Sequence, residues 1–523
     1  MNGTLHTIDY LIILILLGVA LSFGLYFSRR KQTTEHFFLA KGRVPAWALG
    51  LSLLATLVSS ITFLAYPGAG FSSNWILLVQ GLMVPVVLIG VIWFIVPLYR
   101  KVIRLSTYEY FEYRFGAVAR YYSSIAFVLR QLAGMGSVLF LLALAIQGMT
   151  GFSTTAVILV VGLAIMVINL LGGIEAVIWL DVFQGFMLFA TGILCFAVLL
   201  FSIDGGIGEW WDVASAAGRT GFGPYEMDFT QLTFIVMAVN GVFYAIQKYG
   251  TDQTVVQRYL TARDDKSAIK ASMMGILLTV PVWVLFMFIG TALFVFYQSH
   301  PLPEGTKADA VFPYFIMTEL PPGVVGLILA AMISAAICSL SADLNSLAAV
   351  GVEDYYKKFR KARPDGEYLW ASRSIVMVSG ILSILIGLAY VRAGNGGVLG
   401  TVFTLYAIFS GGIVGIFLLG LFSPRTNRQG ITIGIVACVL FTAYAVLTSL
   451  RLNIDGQEVL LLDLGTYNYS HDKLMLGVYS HLVLIGVGYL ASFLFPRPIV
   501  DRHLLYSGWR SDHSKTRESK MIQ

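Results

Sequence analysis

Residues Trp47 to Gly68 read WALGLSLLATLVSSITFLAYPG. About 20 apolar residues are what a helix needs to cross ~30 Å of hydrocarbon, and this stretch has that length. Its middle, however, carries Thr56, Ser59, Ser60 and Thr62, and it closes on Pro67-Gly68. A lipid-facing helix keeps an unbroken apolar surface, so hydroxyls at mid-depth mark chain that faces protein, water or a ligand. Two readings follow. Each hydroxyl bonds back to the carbonyl four residues earlier and packs between helices, or the helix unwinds and frees carbonyls able to hold a cation.

The surrounding chain has the same solvent. It has 523 residues, 57% hydrophobic and 12% charged, with a mean hydropathy of +0.78. A water-soluble surface needs more charge than this, so the lipid bilayer is the expected environment. Thirteen apolar runs read as spans: 8–27, 47–66, 75–98, 122–148, 154–172, 182–203, 229–249, 271–298, 323–349, 370–391, 397–422, 430–449 and 474–495. The first has no small-residue cleavage site after it and reads as retained. Cys195, Cys338 and Cys438 all lie in apolar stretches, without metal-ligand spacing or a disulfide framework.

An odd number of spans puts the termini on opposite sides, and the basic residues say which is which. Segments 28–46, 99–121, 248–270, 354–373, 423–429 and 496–523 hold 29 of the 35 lysines and arginines. The other side holds Arg219, Lys307, Arg392, Arg451 and Lys473, together with acidic loops around Glu209 to Asp228 and Asp455 to Asp472. The positive-inside rule then predicts a cell-membrane protein with its N-terminus outside and residues 496–523 as a basic cytoplasmic tail. The net charge of +6 is therefore topological, and no nucleic acid partner is indicated.

Three further interruptions mark functional ground. Ser334 to Ser346, SAAICSLSADLNS, is small and polar through the middle of a span, and Ala335, Ser339 and Asp343 share one helical face with Cys338 beside them. Hard oxygen ligands of this kind suit sodium better than a transition metal. Arg130 is the only fully embedded base, and at mid-helix it costs on the order of 3 kcal/mol unless it faces a cavity or a partner. It is either the partner of an acid or a receptor for an anionic solute. Gly172 to Gln184, GGIEAVIWLDVFQ, sets a double-glycine break before Asp181, which is either a capped helix start or a cation relay.

These segments, with Asp252 to Tyr259 (DQTVVQRY) and Glu353-Asp354-Tyr355, resemble the sodium:solute symporter family over nearly all of residues 8–495. Within it the chain looks nearest the bacterial sialic acid branch, through Ser59-Ser60-Ile61-Thr62-Phe63 and Gly-Gly-Ile-Glu. The resemblance implies an all-α LeuT-like inverted-repeat (5+5) fold of about thirteen helices in one transmembrane domain, residues 1–495, with core repeats near 47–203 and 229–422. It implies that the first helix of each repeat is broken around a central solute. It also implies a main sodium site from the carbonyls of Ala55, Val58 and Ala335 with Cys338 and Ser339. A candidate second sodium would involve Asp181, Ser341 and Asp343, although the family commonly has serine at Cys338, and Ala342 departs from that site. Ser59, Thr62, Arg130, Gln247, Lys248 and Tyr249 are the solute candidates, with Gly134 standing where the sialic acid branch keeps an arginine.

The expected function is sodium-coupled import of a small polar solute, such as a sugar acid like sialic acid, with Na+ as the coupling ion. Alternatives are a sodium- or proton-coupled carrier of a neutral sugar, inositol or monocarboxylate, and a transporter-like membrane sensor. An enzyme is not expected: no HExxH, GxSxG or P-loop occurs, and none of the seven histidines is assigned to the core of a span. The solute's identity, the sodium ratio and the oligomeric state are not legible.

Overall fold

The computed structural model describes residues 5–28, 33–58, 60–361, 363–393, 408, 411–454 and 457–509. Helices dominate: α1 (Thr7–Ser28), α2 (Thr34–Leu39), α3 (Ala46–Leu57), α4 (Ser60–Ser72), α5 (Ile76–Val102), α6 (Tyr108–Phe115), α7 (Ala117–Thr150) and α8 (Thr154–Phe201). They continue with α9 (Gly206–Ala216), α10 (Phe234–Gly250), α11 (Gln253–Thr261), α12 (Asp265–Ser299), α13 (Ala308–Glu319), α14 (Val324–Val350), α15 (Lys357–Phe359) and α16 (Asp365–Ala393). The last are α17 (Ile413–Phe422), α18 (Arg428–Ser449) and α19 (Lys473–Ala491). One antiparallel pair, β1 (Arg451–Ile454) and β2 (Gln457–Leu460), joins the last two.

Among the described residues nine helices are long and apolar enough to cross a membrane, and a bent pair makes ten. That pair is α3 and α4, inclined by 56°, with Val58 extended between them at φ −103°, ψ 109°. The hydroxyl-rich span is thus a broken helix. The other expected break is absent: α10 runs without interruption from Phe234 to Gly250. Much of the expected span 397–422 lies outside the described residues, and α17 is its remaining end.

The double-glycine segment differs from its expected loop. α8 is 48 residues, ~72 Å at 1.5 Å per residue, more than twice one crossing. It is divided not by a loop but by a single residue, Gly173, at φ 61°, ψ −169°, a conformation essentially reserved for glycine. Glu175 to Asp181 are therefore helical, and all of them but Trp179 are buried. The close neighbour is α2: a Cβ on Gly173 would lie 3.0 Å from the Phe37 ring.

α14 is the centre of the molecule. Its apolar stretch is 89% buried, against 12% for α1, so α14 is enclosed by protein while α1 lies at the surface of the bundle. Small residues let neighbours approach closely around it; at Gly290 of α12 a Cβ would overlap the Pro67 carbonyl of α4.

The basic segments meet at one end. Arg100 bonds Asp265 and the Tyr259 and Ala262 carbonyls, Gln253 bonds Leu105 and Thr107, Lys358 bonds Glu112 and Thr34 bonds Asp365. At the opposite end Arg219 bonds Ser73, Asp9 accepts from the Gly323 and Gly326 amides and Asn240 bonds Leu474. One histidine departs from expectation. His481 lies within α19, buried and stacked on Phe243 at 5.4 Å.

Candidate ion and solute site

Three helices converge beside the break at Val58. Ser52, one turn before Ala55 and Thr56 on α3, donates to Asp181 of α8 at 2.6 Å. One turn on, Gly185 of α8 lies against α3, where a Cβ would make ordinary contact with Ala55 Cβ at 3.7 Å. On α14 the Cys338 thiol donates to Gln184. The expected sodium residues Ala55, Val58 and Cys338 are thus at the junction of α3, α8 and α14.

Ser339 is the informative member. A serine inside a helix ordinarily bonds back to the carbonyl four residues earlier, as Ser137 does to Ala133 and Ser272 to Ala268. Ser339 Oγ is buried and has no hydrogen-bond partner among the described residues. The carbonyl it declines is that of Ala335. An unpartnered buried oxygen costs ~1–3 kcal/mol, and a hard cation beside it would remove that cost. Thr56 takes the bland course and donates to Ser52 O at 2.7 Å.

The second candidate set does not assemble. Asp181 is fully buried and is paired with Arg258 Nη2 at 3.0 Å, which also donates from Nε to Ser52 and from Nη1 to the Thr254 carbonyl. Ser341 accepts from Asn169 at 2.9 Å. Asp343 turns to another group, accepting from Gln131 and, at 3.4 Å, from Thr254. Asp343 therefore does not supply the charge expected beside Asp181, because its helical face looks toward α7 and α11.

The solute candidates also separate. Ser59 lies outside the described residues, and Thr62 is buried on α4 just past the break. Arg130 donates to Asp252 of the α10–α11 junction, and Lys248 donates to the same carboxylate at 3.0 Å. The acid partner that the sequence left unnamed is thus Asp252. Tyr249 is enclosed, its carbonyl accepting from Tyr259 at 3.0 Å, and Gln247 is half-buried.

Residues that sequence reading passed over are Ser52, Gln184, Asp252 and Arg258. Two of them, Asp252 and Arg258, open and close the DQTVVQR run, so the motif was visible while its partners were not. α11 is only nine residues, yet it reaches α2 through Gln257 to the Phe38 carbonyl and α14 through Gln257 to Asn345.

The sodium:solute symporter family profile matches residues 37–437. The chain is 32% identical over 494 residues to the sodium/sialic acid symporter NanT of Aliivibrio fischeri, covering 94% of each. It is 33% identical over 439 residues to the sodium/sialic acid symporter SiaT of Proteus mirabilis, covering 83% of this chain and 88% of the relative. A solved structure of a substrate-bound, outward-open Na+-coupled sialic acid symporter superposes with a TM-score of 0.85 at 29% identity, over 95% of this chain and 100% of that one. The broken α3–α4 helix against a buried α14, inside a LeuT-like all-α architecture, is thus the frame of a sodium-coupled membrane transporter and not of an enzyme, and the chain belongs to the sodium:solute symporter family.

Proposed function

We propose that the protein imports a sugar acid of the sialic acid class, driven by one or more sodium ions held at the α3–α8–α14 junction. The observation that carries the ion site is Ser339 Oγ, buried one turn from Ala335 with no hydrogen-bond partner among the described residues, on the helix that packs against both halves of the broken α3–α4 span. Ala55, Val58 and Ala335 would contribute carbonyl oxygens there, Ser339 its hydroxyl and Cys338 little, because a thiol is a poor ligand for a hard cation. The sugar-acid reading is supported by the relatives, both named for sialic acid.

A second reading, a neutral sugar or inositol, is favoured by one contact. Arg130 is engaged by Asp252, and Gly134 has no side chain to bind a carboxylate. In either case Thr62 and Ser59 would meet the solute beside the break, within the repeats proposed at 47–203 and 229–422. The gathering of the basic segments at one end supports a cytoplasmic assignment for that end, with the N-terminus outside.

Uptake into proteoliposomes tests both readings. With an inward sodium gradient, sialic acid should accumulate and hexoses, inositols and short monocarboxylates should not; accumulation of a neutral sugar alone selects the second reading. Equal accumulation with potassium replacing sodium and no proton gradient would refute sodium coupling.

A further inference from the structure

We infer that Arg258 is the resident counter-cation of Asp181, standing where a second sodium ion would otherwise bind, and that the carrier consequently moves one sodium per solute. The inference deepens the sodium-site reading above and rests on it.

Asp181 is the strongest cation ligand near the junction, and its position next to Ser52 and Gln184 invites a metal ion. The chain already supplies a cation. Arg258 and Asp181 have side chains 1% and 0% exposed, and Ser52 bonds both of them, accepting from Arg258 Nε at 2.9 Å and donating to Asp181 Oδ2 at 2.6 Å. A buried ion pair is favoured when its remaining donors and acceptors are satisfied, and Arg258 Nη1 finds such a partner in the Thr254 carbonyl at 2.7 Å. A sodium ion arriving at Asp181 would meet a guanidinium fixed on the same carboxylate, in a region where charges are poorly screened.

The other ligands that a second sodium needs are absent or engaged. Ala342 has no side-chain oxygen. The Cys338 thiol is turned to Gln184, Ser341 accepts from Asn169, and Asp343 is bonded to Gln131 and Thr254. One acceptor remains open, Asp181 Oδ1, which has no hydrogen-bond partner among the described residues. A single oxygen is far from the ~5–6 that a hard cation of this size collects. By contrast, Ser339, Ala335, Val58 and Ala55 form the main site without any fixed positive charge among them.

The charge balance follows. One sodium with a monoanionic solute is an electroneutral pair, so the membrane potential adds nothing to accumulation, whereas one sodium with a neutral solute carries a single charge. Each translocated charge at 100 mV multiplies the attainable gradient by ~50, so the two cases differ visibly.

The test is a count of ions. Purified protein should bind radioactive sodium at one per chain at saturation, without solute, and proteoliposomes should take up one sodium per solute in a dual-label flux. Two per chain, or a flux ratio of two, overturns the inference. Arg258→Gln leaves a buried carboxylate without its cation and frees the Ser52 hydroxyl and the Thr254 carbonyl that the guanidinium occupied, so that a sodium ion can take its place on both Asp181 oxygens: if folded, the variant should bind two sodium ions, and its uptake should become sigmoidal in sodium. A folded Arg258→Gln that still binds one sodium would remove Arg258 from this role. If that variant fails to fold, the charge-neutral pair Asp181→Asn with Arg258→Gln should restore folding and bind one sodium; the pair binding none would place the sodium at Asp181 and overturn the inference. Because the binding count needs no solute, a wrong solute assignment leaves it intact. Absence of any saturable sodium binding in the wild type would instead sink the sodium-site reading itself.

Discussion

The Arg130 guanidinium on α7 donates to the Asp252 carboxylate at the α10–α11 junction, and Lys248 donates to the same oxygen from 3.0 Å. The carboxylate is fully buried and both cations are mostly so. Breaking a buried pair costs ~3–5 kcal/mol because it strands a charge, and Lys248 reduces that cost here. Arg130→Gln should therefore lower the melting temperature in detergent and diminish uptake of acidic and neutral solutes in the same proportion. Adding Asp252→Asn should recover part of the lost stability. Selective loss of acidic solute at unchanged stability would show that Arg130 binds the solute instead.

Sodium dependence should respond to single atoms on α14. Ser339→Ala removes one oxygen without adding bulk, and the sodium concentration for half-maximal uptake should rise roughly tenfold, the equivalent of ~1.4 kcal/mol. Cys338→Ser supplies a harder ligand and should lower it. Since binding of sodium and solute is linked, apparent solute affinity at subsaturating sodium should weaken with Ser339→Ala as well, and saturating sodium should restore it. An unchanged sodium titration curve for Ser339→Ala would remove that serine from the site.

Gly173 holds the break in α8 at φ 61° with Phe37 of α2 against it. Gly173→Ala meets both a forbidden backbone region and the ring, and such strain costs ~1–3 kcal/mol. Thermal unfolding should show the loss. Gly208→Ala, with open space around its missing Cβ, should show none.

Glu112 on α6 tests the contact between α6 and α15. Partial desolvation by itself would raise its pKa, but hydrogen bonds from Lys358 and Arg120 outweigh this and hold the carboxyl below its ordinary value. A depressed folded-state pKa contributes stability that is present above the unfolded-state value and is lost as pH falls through the folded one. Glu112→Gln should accordingly melt below the wild type at neutral pH, and the gap should close on acidification. A constant gap across that range would mean that the carboxylate charge is not what binds α6 to α15.

Sidedness is open to direct labelling. A cysteine in place of Lys361, exposed at the basic end, should react with an impermeant thiol reagent only from the cytoplasm. One in place of Asp212, exposed on α9 at the other end, should react only from outside. Reversed labelling would invert the proposed topology.

Features set by local pattern are legible in the sequence. Apolar run lengths mark the segments long enough to cross a bilayer, the clustering of lysine and arginine groups segments at one end, and Ser59 to Thr62 marks a span that either packs its hydroxyls between helices or breaks, a choice settled by the bend between α3 and α4. The motif resemblance added the family and its sodium coupling. Pairing was different. Nothing local in DQTVVQR says that Asp252 will meet Arg130, 122 residues earlier, or that Arg258 will meet Asp181, 77 residues earlier. Nor does the face shared by Ala335, Ser339 and Asp343 reveal that Asp343 is turned to Gln131 and Thr254. The Coulomb energy of a buried charge depends on which opposite charge lies within ~4 Å and on what screens it, and those distances exist only after the helices pack. Packing therefore sets both that Asp181 has a protein cation beside it and that Ser339 Oγ has no hydrogen-bond partner among the described residues.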